Sequence, residues 1–378
     1  LSRIAEHGAR HLGWVPNVKV PSVFAQHLAT VHVPRRFYVE RLPGIPTIRV
    51  FEALARVLPT PLRVAVLETP AGFELNSARV AGRVADFLQT RLQNYRPAIK
   101  VVPARQRGTR FSPDDAAITA PLLQADLLFM GPGSPTYAVR QLTGSLAWHR
   151  TIARQRVGAS LVLASAAVVS ISAFALPVYE IYKAGHDLHW EPGLDLFGAY
   201  GLKLVFVPHW NNTEGGAELD TSCCFMGRLR FETLHAMLPP DVTVVGIDEH
   251  TALYINLADG SAEVMGAGGV TVLRPEGTRI IAGGGCLLAE FGPFAWPEPD
   301  AGLPAEVWAE ALAVHEVDAH AGDPPAEVQA LVAQREAARS RRDWAEADRL
   351  RAQVAALGWE VRDTPAGPQV TPPAAKRE

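Results

Sequence analysis

The chain has 378 residues, 48% hydrophobic and 20% charged, with a formal net charge of −3. This length and composition exclude wholesale disorder and allow one large domain with appendages or two domains. The weak net charge gives no electrostatic case for general binding to nucleic acid or to an anionic membrane.

Residues 1–60 are rich in Pro and aromatics, with one helical stretch, "IRVFEALARVL". They read as an N-terminal extension packed on the core, because Trp14, Phe24, Phe37 and Tyr38 would otherwise face water. From Leu62 the pattern alternates. "LRVAVLET" suits a strand buried on both faces. "NSARVAGRVADFLQTRL" repeats apolar residues at helical spacing behind the capping candidate Asn76. "AIKVVPA" reads as a strand, and "SPDDAAITAPLLQA" as a helix with Ser112 as N-cap and Pro113 at its first position. "DLLFMGPGSP" is a strand entering a Gly/Pro turn, followed by the helix "TYAVRQL". "SLVLAS" then leads into a further helix, and "KLVFVPHW" is a strand ending at His209. "VTVVGIDEHTALYINL" and "SAEVMGAGGVTVLR" read as two strands joined by the hairpin signal Asp259-Gly260. "RIIAGGGCLLAEFG" reads as one more hairpin. The expected fold class is therefore α/β, a mainly parallel sheet flanked by helices, with ligands at the carboxyl ends of the strands.

Residues 61–292 would form this main domain, and 293–325 a Pro/Ala-rich connector. Residues 326–370 would form a C-terminal helical hairpin breaking near Arg342-Asp343, with Trp344, Leu350, Val354 and Leu357 turned inward. The three cysteines, an adjacent pair at Cys223 and Cys224 plus Cys286, form no CxxC. Reduced thiols are thus expected, without a disulfide framework or structural zinc. No apolar run is long enough to span a membrane, and the first residues lack a charged-then-apolar leader layout. A cytoplasmic, membrane-free protein is the expectation.

Chemistry gathers at predicted strand ends. Ser165 follows "SLVLA" and precedes "AAVVSISAFAL", with Ala164, Ala166 and Ala167 as the small neighbours that a tight strand-to-helix turn requires. Such a turn exposes the hydroxyl and offers the next backbone N–H, that of Ala166, to an oxyanion; the plainer role for Ser165 is a helix cap. His209 is placed to take a serine proton, and "GIDEHTAL" supplies two carboxylates, of which one could orient the imidazole. His186 and His189 in "GHDLHW" lack a third ligand of suitable spacing, so no metal or other cofactor is expected.

The ordered set of a small-residue serine elbow, "VPHW", the Arg-containing "GRLRF" and "GIDEHTA" resembles the cyanophycinase and aspartyl dipeptidase (peptidase E) family of serine peptidases. That family has a fold like class I glutamine amidotransferases. The resemblance covers roughly residues 62–275 and implies a catalytic triad of Ser165, His209 and Glu249. It implies a second oxyanion donor, Gly133, from "GPGSP". Arg228 and Arg230, or Glu180 in "LPVYEIYKAG", would contact a small and perhaps acidic peptide or amide substrate. The chain departs from the family in carrying Ala167 where the elbow has glycine, and in a histidine-to-glutamate interval lengthened by "NNTEGGAELDTSCC".

Residues 331–370 resemble the extreme C-terminus of cysteinyl-tRNA synthetases, through "DWAEAD" and "LGWEVRDTPAGP". The synthetase signatures HIGH and KMSKS are missing from the sequence, so aminoacylation is not expected. Residues 327–378 hold nine basic and eight acidic side chains, a balance of +1 that is weak for phosphate contact. The sequence thus points to a serine-type hydrolase. The alternative is a catalytically silent relative that binds a small ligand, or a tRNA-related partner through the hairpin. Homodimerisation stays open.

Overall fold

A computed structural model describes residues 30–33, 48–320, 324–364 and 367–371. The four aromatics expected to anchor the N-terminal extension, Trp14, Phe24, Phe37 and Tyr38, lie outside the described residues. The chain divides at Ala311/Leu312 into two compact units.

The first unit is built on an eight-stranded mixed sheet. In chain order its first five strands are β1 (Thr30–Val33), β2 (Arg63–Leu67), β3 (Ala98–Val102), β4 (Leu127–Met130) and β5 (Ser160–Ala164). Four of these, in the order β3-β2-β4-β5, form a parallel core, with Val64 opposite Leu127 and Leu127 opposite Ser160. Every residue of β4 and β5 is buried. This is why both read as unbroken apolar runs rather than alternating ones.

The crossovers are helical, as parallel pairing demands. Helix α1 (Ile48–Ala55) precedes β2, α2 (Ser77–Arg91) links β2 to β3, and α3 (Ala116–Gln124) links β3 to β4. Between β4 and β5 run α4 (Pro135–Leu142) and α5 (Leu146–Arg156). Helix α5 is unforeseen in "LAWHRTIARQR": most of its residues are buried, so it shows no polar face to betray its period. Two capping expectations fail. Asn76 makes no side-chain cap. The N-cap of α3 is Asp115, which accepts from the amides of Ala117 and Ile118, while Ser112 accepts from Asp114 in the preceding turn.

After β5 come the short helices α6 (Ala166–Ser170) and α7 (Val178–Tyr182), separated by the two-residue strand β6 (Phe174–Ala175), which pairs with β7 (Glu191–Pro192). Then follow β8 (Leu204–Val207), α8 (Arg228–Ala236) and β9 (Thr243–Ile247). "VTVVGIDEHTALYINL" is not one strand. It breaks at Asp248–His250, where His250 adopts φ 57°, and resumes as β10 (Thr251–Asn256) in the other sheet. Strands β11 (Ser261–Gly266), β12 (Val270–Arg274), β13 (Gly277–Ile281) and β14 (Gly284–Leu287) complete the set. The predicted hairpin at Asp259-Gly260 joins β10 to β11. Strands β13 and β14 do not pair with each other: β13 pairs with β12 in a four-stranded sheet, and β14 with β11 in the eight-stranded one. Strand β1 enters the larger sheet between β5 and β10.

Helix α9 (Ala305–His320) follows, and within the first unit its Glu310 pairs with the buried Arg150 of α5 at 2.8 Å. The second unit holds α10 (Ala326–Ser340) and α11 (Trp344–Ala356), broken at Arg341–Asp343. It ends in a two-stranded hairpin, β15 (Glu360–Thr364) with β16 (Gly367–Thr371), which the helical reading missed. Leu350 and Val354 are buried as expected, whereas Trp344 is 57% and Leu357 42% exposed. The two exposed side chains sit at the ends of α11, where the Trp344 ring lies beneath the Arg339 guanidinium of α10 at 5.8 Å. All three cysteines are free and buried.

Candidate active site

Ser165 ends β5 with φ 52° and ψ −114°, a conformation few L-residues adopt. It makes no side-chain cap to α6. The plainer role, a capping serine, is therefore not the one it plays. The small neighbours Ala166 and Ala167 are both buried. Strain of this kind, about 1–3 kcal/mol per residue, persists where the surroundings over-determine it.

His209 follows β8 and is itself at φ 54° and 4% exposed. Its Nε2 lies 3.3 Å from Ser165 Oγ, and its Nδ1 lies 3.2 Å from Glu249 Oε1. An ionised carboxylate only accepts, so Nδ1 carries the proton and Nε2 is left to accept from the hydroxyl. The serine comes from the larger sheet, the imidazole and carboxylate from the smaller one.

Local packing explains why the imidazole points where it does. The Trp210 amide donates to the Ile247 carbonyl, and its indole lies edge-on to Phe231 at 5.1 Å. The indole rests on Gly246 of β9, where a Cβ would come within 2.3 Å of the ring. The glycine of "GIDE" is thus a seat for the tryptophan of "HW", and it locks β8 and β9 in register at their carboxyl ends.

Sequence reasoning missed two residues immediately after this pair. Asn212 Nδ2 donates to Glu249 Oε1 at 2.7 Å, and Asn211 Oδ1 accepts from the Glu249 amide at 2.8 Å. Together they hold Glu249 at both its carboxylate and its backbone amide. The signal was present as the adjacent "NN" behind the histidine, but two asparagines in a polar insertion look like any loop. Asp248, the other acid of the segment, accepts from the Gly269 amide and belongs to the turn.

Gly133, after β4, lines the cleft above Ser165. Its φ is 155°, and a Cβ there would fall 1.9 Å from the Pro70 carbonyl oxygen. The Ser134 amide donates to that same carbonyl at 2.8 Å, fixing the loop. Ala166 also lines the cleft, at the first position of α6.

The remaining residues named from the sequence fall elsewhere. Arg230 donates to the carbonyls of Met226 and Phe225, bracing the loop before α8. Arg228 is exposed, its amide donating to Asp220. Neither lines the cleft. Glu180 of α7 accepts from Thr136 Oγ1 at 2.5 Å, one residue along from the lining Pro135. The cleft spans about 430 Å³, space open to solvent included. Its wall includes a left-handed run, Cys223, Cys224 and Phe225, with φ of 53°, 58° and 68°. Burial pushes the Cys224 thiol up to about 12 and the Tyr179 phenol likewise to about 12, so both stay neutral at ordinary pH. Among the described residues no group of three or more His, Cys, Asp or Glu is placed to hold a metal ion, and no helix is long and apolar enough to cross a membrane.

Comparison with known proteins separates the two units. The fold is shared with a solved peptidase from an acI-B1 Actinobacterium, at a TM-score of 0.51 and 17% identity over 70% of this chain and 98% of that one. Residues 321–370 match the family described as the cysteinyl-tRNA ligase anticodon binding domain. A cysteine–tRNA ligase from Rubrobacter xylanophilus is 54% identical over 59 residues, 15% of this chain and 13% of the ligase. One from Solidesulfovibrio magneticus is 38% identical over 98 residues, 22% of this chain and 17% of the ligase. The match therefore spans less than a fifth of either ligase.

Proposed function

We propose that the chain is a serine hydrolase of peptide or related amide bonds. Ser165 is the nucleophile, His209 the general base and acid, and Glu249 the group that orients and charge-balances the imidazole. The observation that supports this most is the strained Ser165 at a strand end, with its Oγ 3.3 Å from an imidazole that is itself 3.2 Å from a carboxylate. Apo catalytic hydrogen bonds are commonly this long and tighten around substrate.

In the proposed reaction Ser165 Oγ forms a bond to the carbonyl carbon as its proton passes to His209 Nε2. The oxyanion is held by the Gly133 and Ala166 amides. The imidazolium returns the proton to the leaving amine as the C–N bond breaks. Water, deprotonated by His209, then attacks the acyl-enzyme; the ester bond breaks and Ser165 recovers its proton.

The experiment is labelling with a fluorophosphonate probe. The wild-type chain should label at Ser165, and Ser165→Ala should abolish both labelling and hydrolysis, a loss of at least about 10³-fold in kcat. An unlabelled wild-type chain would sink the reading.

A second reading draws on the match at residues 321–370: this unit contacts a tRNA or a tRNA-like partner. With a balance of +1 over residues 327–378, such contact would rest on shape and a few arginines rather than on a basic field. Its affinity should therefore fall only shallowly with salt.

A further inference from the structure

We propose that the cleft beside Ser165 selects substrates whose acyl side chain is neutral and apolar, aromatic above all, and discriminates against acidic ones. This deepens the hydrolase reading and rests on it for the position of the scissile bond.

The lining carries the argument. Pro135, Val169, Val178, Tyr179, Tyr182 and Phe225 supply the walls around Ser165 and His209. Among the described residues that line the cleft, none is Lys, Arg, Asp or Glu. Helix α7 is built to present this wall. Val178 and Tyr182 stand four apart and Tyr179 and Tyr182 three apart, so all three share one face. Ile181 turns into the core, and Glu180 turns to Thr136. Phe225 continues this wall, its ring packed on Tyr182 at 5.8 Å and lying 5.8 Å from the His209 imidazole.

The cations that might receive an acidic side chain lie off the cleft lining. Arg230 is bonded to two backbone carbonyls, and Arg228 is exposed beside Asp220. Lys183 sits over the Tyr179 ring at 4.8 Å, where Glu74 offsets its charge. A carboxylate entering the cleft would lose water and gain no counter-ion. A phenyl ring would bury apolar surface against Val178, Tyr182 and Phe225, which line the cleft.

The test uses matched phenylalanine and aspartate amides, each with a free and an acetylated amine. Turnover by the full chain should favour phenylalanine by about 30-fold in kcat/KM. Tyr182→Arg should shrink that ratio to about threefold or reverse it. Calorimetric titration of the same compounds, as uncleaved ligands, into Ser165→Ala reads the preference without chemistry. If Ser165 fails to label with fluorophosphonate while the phenylalanine ligand still binds at least tenfold tighter, the hydrolase reading falls and the selectivity stands. Equal or tighter aspartate binding to Ser165→Ala, or no binding of either ligand at millimolar concentration, overturns the selectivity.

Discussion

The two units of the chain treat their backbones differently. Around the cleft the chain holds Ser165, His209, Cys223, Cys224, Phe225 and His250 at positive φ, six side-chain-bearing residues in conformations that cost energy. Among the described residues of the second unit, Arg342 alone is so held, at the break between two ordinary helices. The second unit relies instead on standard elements tied by charge. The buried Arg335 donates to both oxygens of Asp363 at 2.9 Å, and Arg339 donates to the same carboxylate. Strain concentrated at one rim marks the place where geometry was kept at the expense of stability. Its near-absence from the other unit marks a module whose identity lies in its surface and its helices.

Substitutions at three positions sharpen or break that contrast. The largest effect is expected at Gly133→Ala. The new methyl would collide with the Pro70 carbonyl, so the loop must shift and the proposed oxyanion donor moves with it. We predict a loss of about 100-fold or more in kcat, measured on any substrate that the wild type turns over. Near-normal activity would show that the Gly133 amide plays no part.

Next is Asn212→Ala, which leaves Glu249 with one donor fewer and the imidazole less firmly aimed. A drop of roughly tenfold in kcat is expected, the scale of one hydrogen bond to a charged group. Asn212→Asp should fall further, because it sets a second negative charge against Glu249. If both variants match wild type in steady-state kinetics, the orienting role is wrong.

The smallest effect on chemistry is expected at Arg335→Ala. Amide hydrogen exchange across residues 326–364 should quicken by roughly tenfold as the bidentate pair is lost. Fluorophosphonate labelling at Ser165 should stay unchanged. Slower labelling would mean that the two units are energetically coupled.

Much of this was legible in the residues themselves. The parallel core could be read because β4 and β5 are buried on both faces and so appear as unbroken apolar runs. Strand ends, where an α/β sheet presents its chemistry, pointed to Ser165, His209 and the pair Asp248 and Glu249, and the resemblance to the peptidase family singled out Glu249. What could not be read has physical causes. The pairing of β13 and β14 was misjudged because Gly283-Gly284-Gly285 carries no side-chain alternation to fix a register. The cleft wall on α7 escaped notice because five residues are too few to display a helical period. Sequence alone could not show that the Arg230 guanidinium is bonded to nearby backbone carbonyls, nor that Arg228 is exposed and off the cleft lining.

The left-handed run has one further consequence. The amides of Cys223 and Cys224 donate to the carbonyls of Trp210 and His209, so the flap that bounds the cleft is stitched to the peptide units bearing the base. A ligand too large for the space cannot simply push that flap aside, because the imidazole would travel with it and leave the serine behind. Oversized guests would then be held without being cut. If the proposed reaction holds, widening its range of substrates calls for trimming Tyr182 and leaving the stitches alone.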